Sequence, residues 1–257
     1  MSRFLLSSHN LRTQVADFLA DSSKVSKRSL QIAGTSTSFQ DIYQVSLATH
    51  TVLGGLTTRN LRPRLNPAQV VVIRIPLLVG LGQVSVAEVE LRRFVELILW
   101  AIYFTDHPIE WRNFHDNTAG GFSQDARKPI SYAAHRELGF YLEYALELME
   151  AEPSGLGTKA IENVKQAVKK LNSAVHAGRL ARESGRVPPH ELISEQSLSS
   201  FGKTQRLTFS SCGLLLAAYR KSKFNALNAM ARAYFDWLIG ARLRREVRKG
   251  PFGLDLN

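Results

Sequence analysis

The sequence predicts an all-α fold, a single bundle of five to seven helices, from three observations. Apolar residues recur at three- and four-residue spacing through several long windows. The windows are joined by Gly-, Pro- and Ser-rich connections, and no convincing pair of strands appears. Hydrophobic residues are 44% of the 257, enough to bury a core and to exclude disorder as a description of the whole chain.

Taken in order, Asn10 is a good N-cap for an amphipathic helix from Leu11 to Ala20, with Leu11, Val15, Phe18 and Leu19 on one side. Ser22–Ser38 is rich in Ser, Thr and Lys and reads as a loop. Asp41–Leu53 reads as a helix broken by Gly54-Gly55. Val70–Ile75 is β-branched, as strands are, yet Asn66-Pro67 has the N-cap and N1 chemistry that starts helices. A helix kinked at Pro76 is the expectation there. Residues 1–85 are thus an N-terminal segment of helices and loops, packed on or loosely attached to a core formed by 86–257.

Glu88–Phe104 has a polar ladder, Glu88, Arg92 and Glu96, along its first half. Its second half, Leu97–Phe104, is apolar all round and should be buried on every side. Asp106 and Pro108 restart the chain as a short helix, Arg112–Pro129 is a loop, and Ile130–Glu150 is a helix. Thr158 caps the next, from Lys159 to Arg182, with Ile161, Val164, Val168, Leu171 and Val175 as its stripe. Gly185–Gly202 reads as a loop. One continuous helix from Phe209 to Arg248 follows, on which Phe224, Leu227, Ala231, Tyr234 and Leu238 keep helical rhythm.

Composition excludes several classes of function. The single cysteine, Cys212, forbids an internal disulfide or a cysteine metal cluster and suits a reducing cytoplasm. Val70–Leu81 is interrupted by Arg74 and Pro76, and Phe94–Phe104 carries Glu96, so neither reaches the ~20 residues of a membrane span. Met1–Leu6 is too short for a secretory signal, and a soluble cytoplasmic protein without membrane contact is expected. Gly155-Leu-Gly-Thr-Lys159 and Gly202-Lys203-Thr204 lack the full phosphate-loop pattern, Ser197 standing where its first glycine belongs. No G-x-S-x-G is present, and Cys212 beside Leu214–Leu216 reads as a buried structural thiol.

The densest polar cluster is Asp106, His107, Glu110, His115 and Asp116, of which His107 is the candidate for acid–base work. Its spacing fits no metal pattern, so no metal is expected; the plainer alternative has Asp106 capping a helix and His107 packing at its start. Net charge is +11, with 1–85 and 154–257 basic and 86–153 acidic. Arg220, Lys221 and Lys223, then Arg242, Arg245 and Lys249, make two basic clusters with the reach to contact phosphates of a nucleic acid. Cations ending a helix also oppose its dipole, which explains the second cluster without any ligand.

Lys170-Leu-Asn-Ser-Ala-Val-His176-Ala-Gly178 resembles a short element of all-helical proteins related to the HEPN superfamily, including abortive-infection proteins. Arg92-x-x-x-Glu96 is similar to a core that an earlier helix often carries in them. The resemblance spans 86–182 and implies an RNA-binding component of a microbial defence or toxin-type system, with a protein partner or a homo-oligomer. Active members are metal-independent RNases pairing Arg with His, usually across a dimer interface. Carried over, His176 and Lys170, which stands at the Arg position, become the catalytic candidates without any cofactor. Three functions remain open: a binding component, an RNase using His176, and an oligomerising interaction subunit.

Overall fold

The structure, a computed structural model, describes residues 8–112, 138–150, 156–183 and 193–249. Along 8–19, 21–22, 150, 156–157, 173–183 and 241–249 it describes the helix path alone. The helices are α1 (Ser8–Thr35), α2 (Thr37–Leu56), α3 (Arg62–Gly80), α4 (Val84–Asp106), α5 (Leu138–Glu150), α6 (Leu156–Glu183), α7 (Glu195–Tyr219), α8 (Lys221–Asn225) and α9 (Ala229–Lys249). A further helical turn occupies 108–112, and no strand occurs among the described residues. The all-α class is as expected, in more and shorter pieces than five to seven helices. No helix among the described residues is long and apolar enough to cross a membrane.

Cross-contacts fix the direction of each helix. Ser36 Oγ donates to Glu195 Oε2 at 2.6 Å, and Gln205 Nε2 donates to Ser46 Oγ at 2.8 Å, so α2 and α7 run parallel. Phe94 packs on Phe209 at 4.6 Å between centroids and Tyr219 reaches Asp106, which makes α4 parallel to α7 as well. Arg64 lies over Trp111 while Arg74 pairs with Glu90, so α3 runs against α4. Arg206 on Trp237 and Gly213 against Phe235 show α9 running back along α7. The ends of α2, α4 and α7 therefore meet the starts of α3 and α9 at one end of the bundle.

A single apolar cluster fills the interior. Ile42, Leu53, Leu65, Val72 and Val79 from the first 85 residues belong to it together with Phe94, Phe104, Phe209, Phe224 and Phe235. Each fully buried phenylalanine contributes about 2–3 kcal/mol of transfer free energy. Leu97–Phe104 is buried as its composition predicts, with only Trp100 half-exposed.

Several expected boundaries are corrected. Ser22–Ser38 is helix up to Thr35, because Ser29 and Ala33 are small enough to bury and Ser26 Oγ reaches Leu81 O at 3.5 Å. The connection shrinks to Ser36, whose hydroxyl accepts from Phe39 N at 3.0 Å and caps α2. Gly54 and Gly55 lie inside α2, where Gly55 gives Leu227 room: an added Cβ would stand 2.5 Å from Leu227 Cδ2. Helix α3 begins at Arg62 with Pro63 in its first turn, and Pro67 and Pro76 lie within it. The region expected as a loop up to Gly202 is helical from Glu195, started by a reciprocal cap between Ser194 and Ser197.

The expected rod over Phe209–Arg248 is broken. α7 ends at Tyr219, and Asn228 restarts the chain by accepting from Ala231 N at 2.8 Å through Oδ1. α9 is interrupted in turn at Gly240, with φ 73° and ψ 168°, a conformation glycine adopts without steric cost. Phe224, Leu227, Ala231 and Leu238 are buried nonetheless, so the apolar rhythm is real although the rod is not.

Candidate functional site

Where α4 ends, its last turn gathers a tyrosine–carboxylate clasp. Asp106 accepts from Tyr144 Oη on α5 at 2.8 Å and from Tyr219 Oη on α7 at 2.6 Å. Glu110 accepts from Tyr103 Oη at 2.8 Å. Burial first, and Asp106 second, push both Tyr144 and Tyr219 well above the ordinary phenol range, so they remain donors at any physiological pH.

His107 is the C-cap of α4. Its backbone N–H and its Nδ1 both face Tyr103 O, Nδ1 at 2.9 Å. A carbonyl only accepts, so Nδ1 is the donor in this contact. The ring stacks on Tyr103 at 4.1 Å and 14° and meets the edge of Tyr144. His107 thus closes α4 and also opens the next turn, its carbonyl accepting from Trp111 N at 3.0 Å. Asp106 serves the two tyrosines where a helix cap was expected. His115 and Asp116 lie outside the described residues, and no group of three or more metal-ligating side chains occurs among the described ones.

Around this clasp the bundle end is rich in cations. Arg59 and Arg62 are exposed at the α2–α3 corner, Arg112 is exposed at the end of the 108–112 turn, and Lys221 and Lys223 are exposed on α8. Arg64 and Arg220 are half-buried. The Arg64 guanidinium stands 5.2 Å from the Trp111 ring centroid, and desolvation lowers its pKa against an opposing pull from Tyr219. Among the described residues no ion pair engages Lys221 or Lys223. Helix ends of both polarities meet here, so their dipoles largely cancel and the fixed charges set the field.

The site residues expected from sequence are distributed, not assembled. Arg220, Lys221 and Lys223 stand at this end of the bundle, the end where α4 closes at His107. Arg242, Arg245 and Lys249 follow the break at Gly240 in the last part of α9, and their side chains lie outside the described residues. Lys170 is exposed on α6. The side chain of His176, six residues further along α6, lies outside the described residues. Arg92 binds Asn172 of α6 and pairs with Glu96 at 3.1 Å, which joins the two segments that carry the family resemblance. That junction is some fifteen residues up α4 from His107, about 22 Å along the helix.

Arg59, Arg62, Arg64, Trp111 and the three tyrosines were not singled out from sequence. The Arg59–Arg64 run was a visible charge cluster; its meeting with Lys221 and Lys223 was not. Cys212 is fully buried and its thiol is pushed up by burial, the inert structural thiol its neighbours suggest.

Fold and site together define an all-α bundle with a basic end organised around a tyrosine-held carboxylate. Among known proteins the chain matches no family model, no curated protein and no solved structure.

Proposed function

We propose that this chain is a HEPN-like nucleic-acid-binding protein of the cytoplasm, with RNA as its ligand, acting as a component of a microbial defence or toxin-type system. The supporting observation is the meeting of Arg59, Arg62, Arg112, Lys221 and Lys223 at one end of the bundle. The nearby carboxylates Asp106 and Glu110 are held by tyrosine hydroxyls. Cations from three separate chain segments give a broad positive surface, which suits a phosphate backbone better than a single small anion. The junction of Arg92, Glu96 and Asn172 adds support to the family likeness.

Binding should weaken steeply with salt. Titration of labelled RNA at several salt concentrations is expected to give a straight log–log plot. Lys221→Glu with Lys223→Glu should flatten its slope by about 1.4–1.8, since each lost phosphate contact removes about 0.7–0.9. An unchanged slope in that variant, or binding indifferent to salt, rejects the reading.

A second reading, a metal-independent RNase using His176 and Lys170, is favoured by the Arg92–Asn172 contact one turn from position 176. Its test is cleavage of labelled RNA in the presence of chelator. Cleavage that survives His176→Ala unchanged, or no cleavage at all, removes it.

A further inference from the structure

We propose that the groove between α2 and α9 holds an unpaired base of a single-stranded nucleic acid whose phosphates lie on the basic end, an inference that rests on the function proposed above. The groove has a volume of about 490 Å³ and is lined by Gln44, Leu47, Met230, Ala233, Tyr234 and Trp237. That is within the usual range for a site taking a small planar ligand. Met230 is 60% exposed, Leu47 42% and Trp237 37%, so a sizeable apolar surface faces water.

Three features select a base as the occupant. Arg206 stands 4.1 Å from the Trp237 ring centroid and is fixed there by donating from Nη1 to Trp237 O at 3.3 Å. An indole backed by a guanidinium is a stacking platform with a positive charge attached, which complements a base joined to a phosphate. Gln44 is the one amide in the lining and offers both a donor and an acceptor, as a base edge requires. The groove also opens toward the basic corner: Met230 follows the start of α9 by one residue, and α8 with Lys221 and Lys223 ends only four residues before that start. Bases within a duplex are stacked and paired and cannot enter the groove.

The probes are a short labelled oligouridine and an RNA duplex of matching length, read by anisotropy. Trp237→Ala is expected to weaken single-strand binding about 5- to 150-fold, the range for loss of one base–aromatic stack, with duplex binding unchanged. Trp237→Phe should retain most of the affinity. Leu47→Glu, at an exposed position, blocks the groove without removing the ring and should reproduce the loss even if Trp237→Ala fails to fold. Single-strand affinity unchanged in Leu47→Glu, or single-strand and duplex affinities falling together, overturns the groove. Light scattering that finds a dimer split into monomers by Leu47→Glu also overturns it, since a second copy then fills the site. Loss of binding in the Lys221→Glu, Lys223→Glu protein with Leu47→Glu unaffected rejects the groove alone. Failure of both probes to bind the native protein rejects the function with it.

Discussion

Asp106 receives hydroxyls from tyrosines 38 and 113 positions away in the chain and so ties α5 and α7 to the end of α4. Asp106→Asn retains an acceptor for one of them and loses the charge, and should cost about 1–3 kcal/mol, read as a lower urea midpoint. Tyr219→Phe removes one hydrogen bond and should cost about 1 kcal/mol by the same measurement. Glu195 is a second such tie: the Ser36 hydroxyl and the Ser38 backbone N–H, at 3.2 Å, hold its carboxyl below the usual value. A carboxylate lowered on folding stabilises fully above its unfolded pKa, about 4.3, and that stability fades as pH falls through the lower folded value. Comparison of the native protein with Glu195→Gln across pH should therefore show a stability gap at pH 6 that closes in acid. A gap that persists below the folded value would exclude the linkage.

The adjacent glycines of α2 separate two effects that a helix propensity scale merges. At Gly54 an added Cβ meets only Gln69 Nε2, at 3.7 Å, so Gly54→Ala should stabilise by about 0.5–1 kcal/mol through propensity alone. At Gly55 the buried Leu227 side chain must move, so the same substitution should gain less or turn destabilising, and Gly55→Val should cost about 1–3 kcal/mol. Thermal melts of the three variants give the order directly. Element by element, α4 and α6 were legible because long apolar stripes outweigh everything else in their windows. Ser22–Thr35 and 195–202 were not, because serine and threonine lower helix propensity locally while tertiary contacts decide the outcome. The hydroxyls of Thr204, Thr208 and Ser210 fold back onto carbonyls of the preceding turn, which makes a polar sequence compatible with a helix. The break after Tyr219 was hidden by an apolar rhythm that continues across it. The clasp was illegible for a different reason: its residues are ordinary in their own windows, and only packing brings Tyr103, Tyr144 and Tyr219 to two carboxylates.

At the scale of the molecule, the shared core joins α2 and α3 to the later helices, so one cooperative transition is expected, with helix content and tryptophan fluorescence coinciding in urea. Separate transitions would mean that the first 85 residues form a unit of their own. The positive charge is likewise a property of the assembly, since no single helix carries enough of it. The parallel pairing of α2 with α7 joins partners 159 and 163 residues apart. At about 5–20 residues per second of synthesis, α2 leaves the ribosome some 8–30 s before the helix that covers it. Its greasy face spends that interval in search of cover, which makes the nascent chain a client for chaperones and the C-terminal third the segment whose truncation sends the rest to the protease.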